Sequence, residues 1–174
     1  MKRSLLPEYL DFEQKAKKGL EIAGSWPVNR LNRLSDMLVA DDGDIHAELT
    51  FGQKGRVLFV SGKVTATLKV TCQRCMSPMD LPLETEFNLA LVHDESSIDR
   101  VPEGYEPLLL EDEAMSVPDL LEDEMLLALP LVPVHEADCS DYLQQQKVRQ
   151  QTEQVQHAAE KDTKNPFAVL KDLL

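Results

Sequence analysis

The 174-residue chain holds three cysteines, one tryptophan and seven glycines, and each shortage removes a class of protein. Three cysteines are an odd number and too few for a disulfide scaffold, so a reducing, cytoplasmic setting is expected. No run approaches the ~18 apolar residues a membrane-spanning helix requires, and no membrane partner is expected. Met1-Lys2-Arg3-Ser4 begins basic, but Glu8 and Asp11 interrupt before an apolar stretch develops, so no signal peptide is expected either. No phosphate-cradling glycine loop, dinucleotide glycine pattern or Ser/His/Asp arrangement is legible, and no small-molecule substrate is identified. Positive charge is also scarce. With 18 Lys and Arg against 31 Asp and Glu, the net charge is −13, and a chain of that sign is a poor non-specific ligand for nucleic acid.

The charge that is present is split. Residues 94–141 contain fifteen acidic side chains and one basic residue, Arg100, whereas residues 1–75 carry twelve basic against nine acidic. Contacts to RNA would therefore come from the first half, and Lys15, Lys17, Lys18, Arg30, Arg33 and Arg74 are the candidates. The plainer reading of the three lysines is that they complement the negative end of a short helix. The acidic half suits a basic protein partner, or simply solubility.

Hydrophobic residues make up 43% of the chain, enough for one core, and their periodicity predicts an α+β domain over residues 1–139. A short strand is expected within Leu5–Leu10, followed by a helix capped by Asp11 and stopped by Gly19. Leu20–Gly24 alternates like a half-buried strand. Pro27 is expected to open a helix over Val28–Val39, whose Val28, Leu31, Leu34 and Leu38 share one face. Ile45, Ala47, Leu49 and Phe51 then alternate with polar residues, Gly52–Gly55 is read as a turn, and Gly62 as a bulge or kink. Val64, Ala66, Leu68 and Val70 alternate again, and Leu81–Val92 completes an antiparallel meander. A polar connection and a short strand at Tyr105–Leu110 lead to a helix over Asp119–Leu129, with Pro118 at its first position. Residues 140–174 are expected to form a flexible, glutamine-rich tail. It closes on an apolar patch of Asn165, Pro166, Phe167, Val169 and Leu170, a candidate docking segment for this domain or for a partner.

All three cysteines fall in two short pieces, Cys72-Gln73-Arg74-Cys75 and His135-Glu136-Ala137-Asp138-Cys139. Two thiols spaced C-x-x-C and an imidazole and thiol spaced H-x-x-x-C are a donor set suited to tetrahedral Zn²⁺. Cys72, Cys75, His135 and Cys139 are therefore candidate ligands of one structural zinc. Two alternatives stay open. The pair at 72 and 75 would serve as a redox couple, although Pro78 and Pro82 argue against the helix such couples precede. The cysteines would otherwise be ordinary buried thiols, with His135 a surface histidine.

Nearly the whole chain resembles the YceD family of large ribosomal RNA subunit accumulation proteins. The resemblance rests on Cys72-Gln73-Arg74-Cys75, on Glu122-Asp123-Glu124 leading to Leu127-Ala128-Leu129-Pro130, and on Val132-Pro133-Val134-His135 with Cys139. It closes on Asn165-Pro166-Phe167-Ala168-Val169-Leu170. It implies a non-enzymatic accessory factor supporting synthesis, processing or stability of 23S ribosomal RNA. The expected partner is the large-subunit rRNA precursor or its protein machinery. The rival reading is a zinc- or thiol-dependent enzyme, a hydrolase or an oxidoreductase, using Cys72 and Cys75. If His135 were not a ligand, a water would have room at the metal.

Overall fold

The structure, a computed structural model, describes residues 4–110 and 112–140. Met1–Val134 make one compact unit, and the expected tail lies, from residue 141 onward, outside the described residues. The fold is α+β, as its periodicity implies. Five strands lie side by side in one sheet: β2 (Glu21–Pro27), β3 (Asp44–Lys54), β4 (Val57–Thr71), β5 (Pro78–Val92) and β6 (Glu106–Leu109), in that spatial order. The first four run antiparallel to their neighbours, but β6 lies parallel to β5, pairing Leu89 with Glu106 and Val92 with Leu109. The expected antiparallel meander through Leu81–Val92 is present, and the short strand after it pairs parallel because the 93–105 connection carries the chain back along the sheet before it pairs.

One face of the sheet is dry. Ile45, Ala47, Leu49 and Phe51 of β3 are buried while their intervening neighbours are not, and Val60, Gly62, Val64, Ala66, Leu68 and Val70 do the same on β4. Each large side chain so buried contributes roughly 1.5–3 kcal/mol. The first helix, α1 (Phe12–Lys18), packs over β3, with the rings of Phe12 and Phe51 edge-on at 5.2 Å. Its ends follow the capping signals: Asp11 accepts the Gln14 N–H, and Gly19 takes the left-handed conformation at φ 63°. A two-residue strand β1 (Tyr9–Leu10) pairs with β7 (Met115–Ser116), which leads directly into the long helix α3 (Val117–Ala128).

Several local expectations change. The Val28–Val39 helix is broken into a 3-10 turn at Val28–Arg30 and a single α turn, α2 (Asn32–Ser35), because Leu31 leaves helical geometry between them. Pro27 ends β2 instead of opening a helix. The turn after β3 is Gly55-Arg56, flanked by the Lys54–Val57 pair, so the strand runs through Gly52–Lys54. Gly62 is no bulge: it pairs in register with Leu49 and Phe87, and a methyl group there would run into the Phe87 ring. Finally, α3 starts two residues before Asp119, capped by Ser116, so Pro118 is its second residue.

Glu122 of α3 is 5% exposed. Its Oε1 accepts the Leu34 N–H at 3.1 Å and its Oε2 accepts the Arg33 Nε–H at 2.8 Å, clasping α2 to α3. No helix among the described residues is long and apolar enough to cross a membrane.

Candidate metal centre

The candidate centre is built on the loop joining the two longest strands. Thr71 pairs with Pro78, leaving Cys72 to Ser77 to turn the chain. The alternation that buries Leu68 and Val70 also carries Cys72 inward, and that residue is buried, whereas Cys75 is half-buried. Three short hydrogen-bonded closures shape the loop. The Cys72 N–H donates to Ser77 O and the Met76 N–H to Cys72 O, both at 2.9 Å, and the Arg74 N–H points at Cys72 Sγ at 3.4 Å. Cysteine binds metals as the thiolate. Met76 lies at φ 60°, the one non-glycine with positive φ among the described residues. That conformation costs a side-chain-bearing residue roughly 1–2 kcal/mol.

The chain just before the downstream donors is tied to this loop through the backbone. Pro130 and Pro133 keep the chain after α3 out of helix, and Pro133 O accepts the Gln73 N–H at 2.8 Å. That bond fixes the chain two residues before His135 against the C-x-x-C step. Cys72, Cys75, His135 and Cys139 form a group able to hold a metal ion, with their ligand atoms within 4.8 Å of one another. Three sulfurs and one imidazole nitrogen are a donor chemistry that suits zinc and is poorly suited to calcium or magnesium, which take oxygen.

The basic residues expected to contact RNA are placed as follows. Lys15, Lys17 and Lys18 all lie on α1; Lys17 pairs with Glu13 at 2.6 Å, and Lys18 donates to Gln14 Oε1 at 2.8 Å. The Arg30 guanidinium stands over the Trp26 ring, 5.9 Å from its centre. Arg33 is held by Glu122 and, at 2.7 Å, by Asp123, and these carboxylates raise its pKa. Arg74 is half-buried in the cysteine loop. Asn165, Pro166, Phe167, Val169 and Leu170 lie outside the described residues. Two residues escaped the sequence reading of this region. Glu122 stands in an acidic triplet that looks uniformly solvated; its burial and its bond to the Leu34 N–H separate it from Asp123, which also meets Arg33. Met76 carries no sequence signal of a left-handed turn at all.

The family model for the large ribosomal RNA subunit accumulation protein YceD matches residues 60–174, a span that includes all four donors. The chain belongs to the YceD family. The Haemophilus influenzae protein named large ribosomal RNA subunit accumulation protein YceD is 34% identical over 176 residues, covering 99% of this chain and 98% of that protein. No solved structure matches the chain. The family resemblance drawn from the cysteine, Pro-Val-His and Asn-Pro-Phe motifs is therefore borne out along nearly the full length.

Proposed function

We propose that this chain is a non-enzymatic accessory factor of ribosome biogenesis, supporting the synthesis, processing or stability of 23S ribosomal RNA in the cytoplasm. The observation that carries the reading is membership of the YceD family, with a full-length relative named for accumulation of large-subunit ribosomal RNA. Its working parts are surfaces, not a reaction centre. Cys72, Cys75, His135 and Cys139 would hold one Zn²⁺ as a structural clasp, and four protein donors fill the tetrahedral positions, leaving none for a reacting water. Lys15, Lys17, Lys18, Arg30, Arg33 and Arg74 are the proposed contacts to rRNA, with Arg33 the least available because two carboxylates already hold it. The Asn165, Pro166, Phe167, Val169 and Leu170 patch is the proposed docking segment for the protein machinery. Deleting the gene and measuring 23S against 16S rRNA, beside co-purification of tagged protein with large-subunit precursors, tests the reading. A selective fall in 23S with co-purification is expected; unchanged 23S and no precursor in the purified fraction would sink it.

A further inference from the structure

A groove of about 270 Å³ opens where β1, β7, β6 and the first turns of α3 meet. Its lining includes the apolar or aromatic side chains Tyr9, Phe12 and Leu120 and the acids Asp112, Asp119 and Asp123. Among the described residues, none that lines it is basic. Tyr9 is 60% exposed, an aromatic side chain presented at the mouth instead of being packed away. Phe12 and Leu120 are buried, so the groove has a floor belonging to the core and is not a crease between mobile side chains.

The surroundings intensify the negative field. Nearby, on α3, partial burial first, and then the neighbouring Glu106 and Asp123, push the Glu124 carboxyl above its usual range. Arg33 neutralises part of Asp123 from one side, but Asp112 and Asp119 are exposed, with no ion pair among the described residues. A wall of this sign disfavours phosphate and therefore rejects RNA. What complements it is a cation attached to an apolar group: the acids would meet lysine or arginine while Tyr9 and Leu120 bury the hydrophobic side chain between them.

We propose that this groove docks a lysine- or arginine-rich segment of a basic protein partner, anchored by one apolar side chain beside Tyr9. The proposal rests on the reading of the chain as a binding factor in large-subunit assembly, and supplies the chemistry of its protein partner. The acids of the groove come from the acidic half of the chain, whereas Tyr9 and Phe12 come from the N-terminal stretch that also carries the α1 lysines.

The test is a fluorescence-anisotropy titration of the full chain with a labelled lysine-rich peptide carrying one central phenylalanine. Saturable binding is expected, weakening as salt rises. The Asp112→Asn, Asp119→Asn double variant should bind about tenfold more weakly, a difference of about 1.4 kcal/mol. Tyr9→Ser should weaken the phenylalanine peptide several-fold while leaving a phenylalanine-free lysine peptide unchanged. A control double variant removing two charges elsewhere, Glu95→Gln with Glu103→Gln, should bind as the parent does; circular dichroism verifies that all variants are folded. Equal losses in the groove and control variants would overturn the proposal in favour of bulk acidity. No loss in either would overturn it as well, and so would a self-associating dimer dissociated by the groove substitutions, which makes the occupant a second copy. Co-sedimentation of the parent with large-subunit precursors is read separately. Its absence removes the biogenesis reading while leaving the peptide result standing, and its presence with groove-independent peptide binding removes only the groove.

Discussion

Strand β4 has a turn at each end, and the two are made differently. At Lys54–Val57 the chain reverses through Gly55-Arg56, with Gly55 at φ 64° and nothing within 4 Å of where a side chain would begin. A glycine alone meets that backbone demand, so the turn is specified locally. At the other end, Thr71–Pro78 brackets a six-residue loop containing Cys72 and Cys75, where Met76 takes nearly the same φ without a glycine's freedom. A non-glycine is held there only when its surroundings over-determine the loop. The hydrogen bonds to Cys72 Sγ, Cys72 O and Pro133 O are part of that restraint. One turn is written in its own residues. The other depends on residues some sixty positions away.

The strongest way to break this contrast is to remove the proposed clasp. Cys72→Ser, with metal content measured on protein purified without chelator, should lose one zinc per chain. Stability should fall by more than about 4 kcal/mol in denaturant unfolding. Metal-free parent protein with an unchanged midpoint in the variant would leave the cysteine loop no more special than the glycine turn. Next comes the sheet between the turns. Gly62→Ala forces a methyl group into the Phe87 ring and should cost about 1–3 kcal/mol by the same measurement, with Phe87→Leu in the same chain recovering part of the loss. If the alanine is neutral, the close approach of Phe87 is not what requires glycine.

The turns themselves give smaller, opposite effects. Gly55→Ala should destabilise by about 1 kcal/mol, and Met76→Gly should stabilise by up to about 1 kcal/mol, since relief of the left-handed strain is offset by glycine's greater freedom when unfolded. Thermal midpoints moving in the same direction for both variants would erase the distinction. The smallest effect lies away from either turn, at Glu124. Its folded carboxyl titrates above the unfolded one, so the protonated form is favoured by folding. The stability it contributes is present below the unfolded pKa and is lost as pH rises through the folded pKa. Glu124→Gln should therefore raise the melting temperature at neutral pH and leave it nearly unchanged at about pH 4, near the ordinary glutamate pKa. An equal shift at both pH values would assign the gain to something other than ionisation.

Much of the sheet was legible because alternation is a local signal. Ile45 to Phe51 and Val64 to Val70 declare their inward faces residue by residue, and Asp11 and Gly19 mark the ends of α1 with side-chain and backbone chemistry that needs no distant partner. The Val28–Val39 helix misled for the complementary reason. Its apolar spacing is real, and Val28, Leu31 and Leu34 are all buried, but the same burial is achieved by two short turns around Leu31. Periodicity reports which side chains go inside, not how the backbone delivers them. Likewise, the parallel pairing of β6 depends on the path of the preceding connection, which no pattern inside Glu106–Leu109 encodes.

The candidate centre divides along the same line. That C-x-x-C and H-x-x-x-C are donor pairs follows from residue type and spacing, because ligand chemistry is a property of individual side chains. Bringing four ligand atoms within 4.8 Å, holding Met76 in a left-handed turn and burying Glu122 between Leu34 and Arg33 were decided only in three dimensions. Each joins groups distant in sequence or imposes a backbone conformation the local residues do not prefer. The sequence by itself determined the family, the inward faces of the strands and the donor types, all of which are carried by residues in short runs. Tertiary structure decided which strands and helices of Met1–Val134 meet, since the free energy that brings them together comes from their shared core and belongs to no single segment.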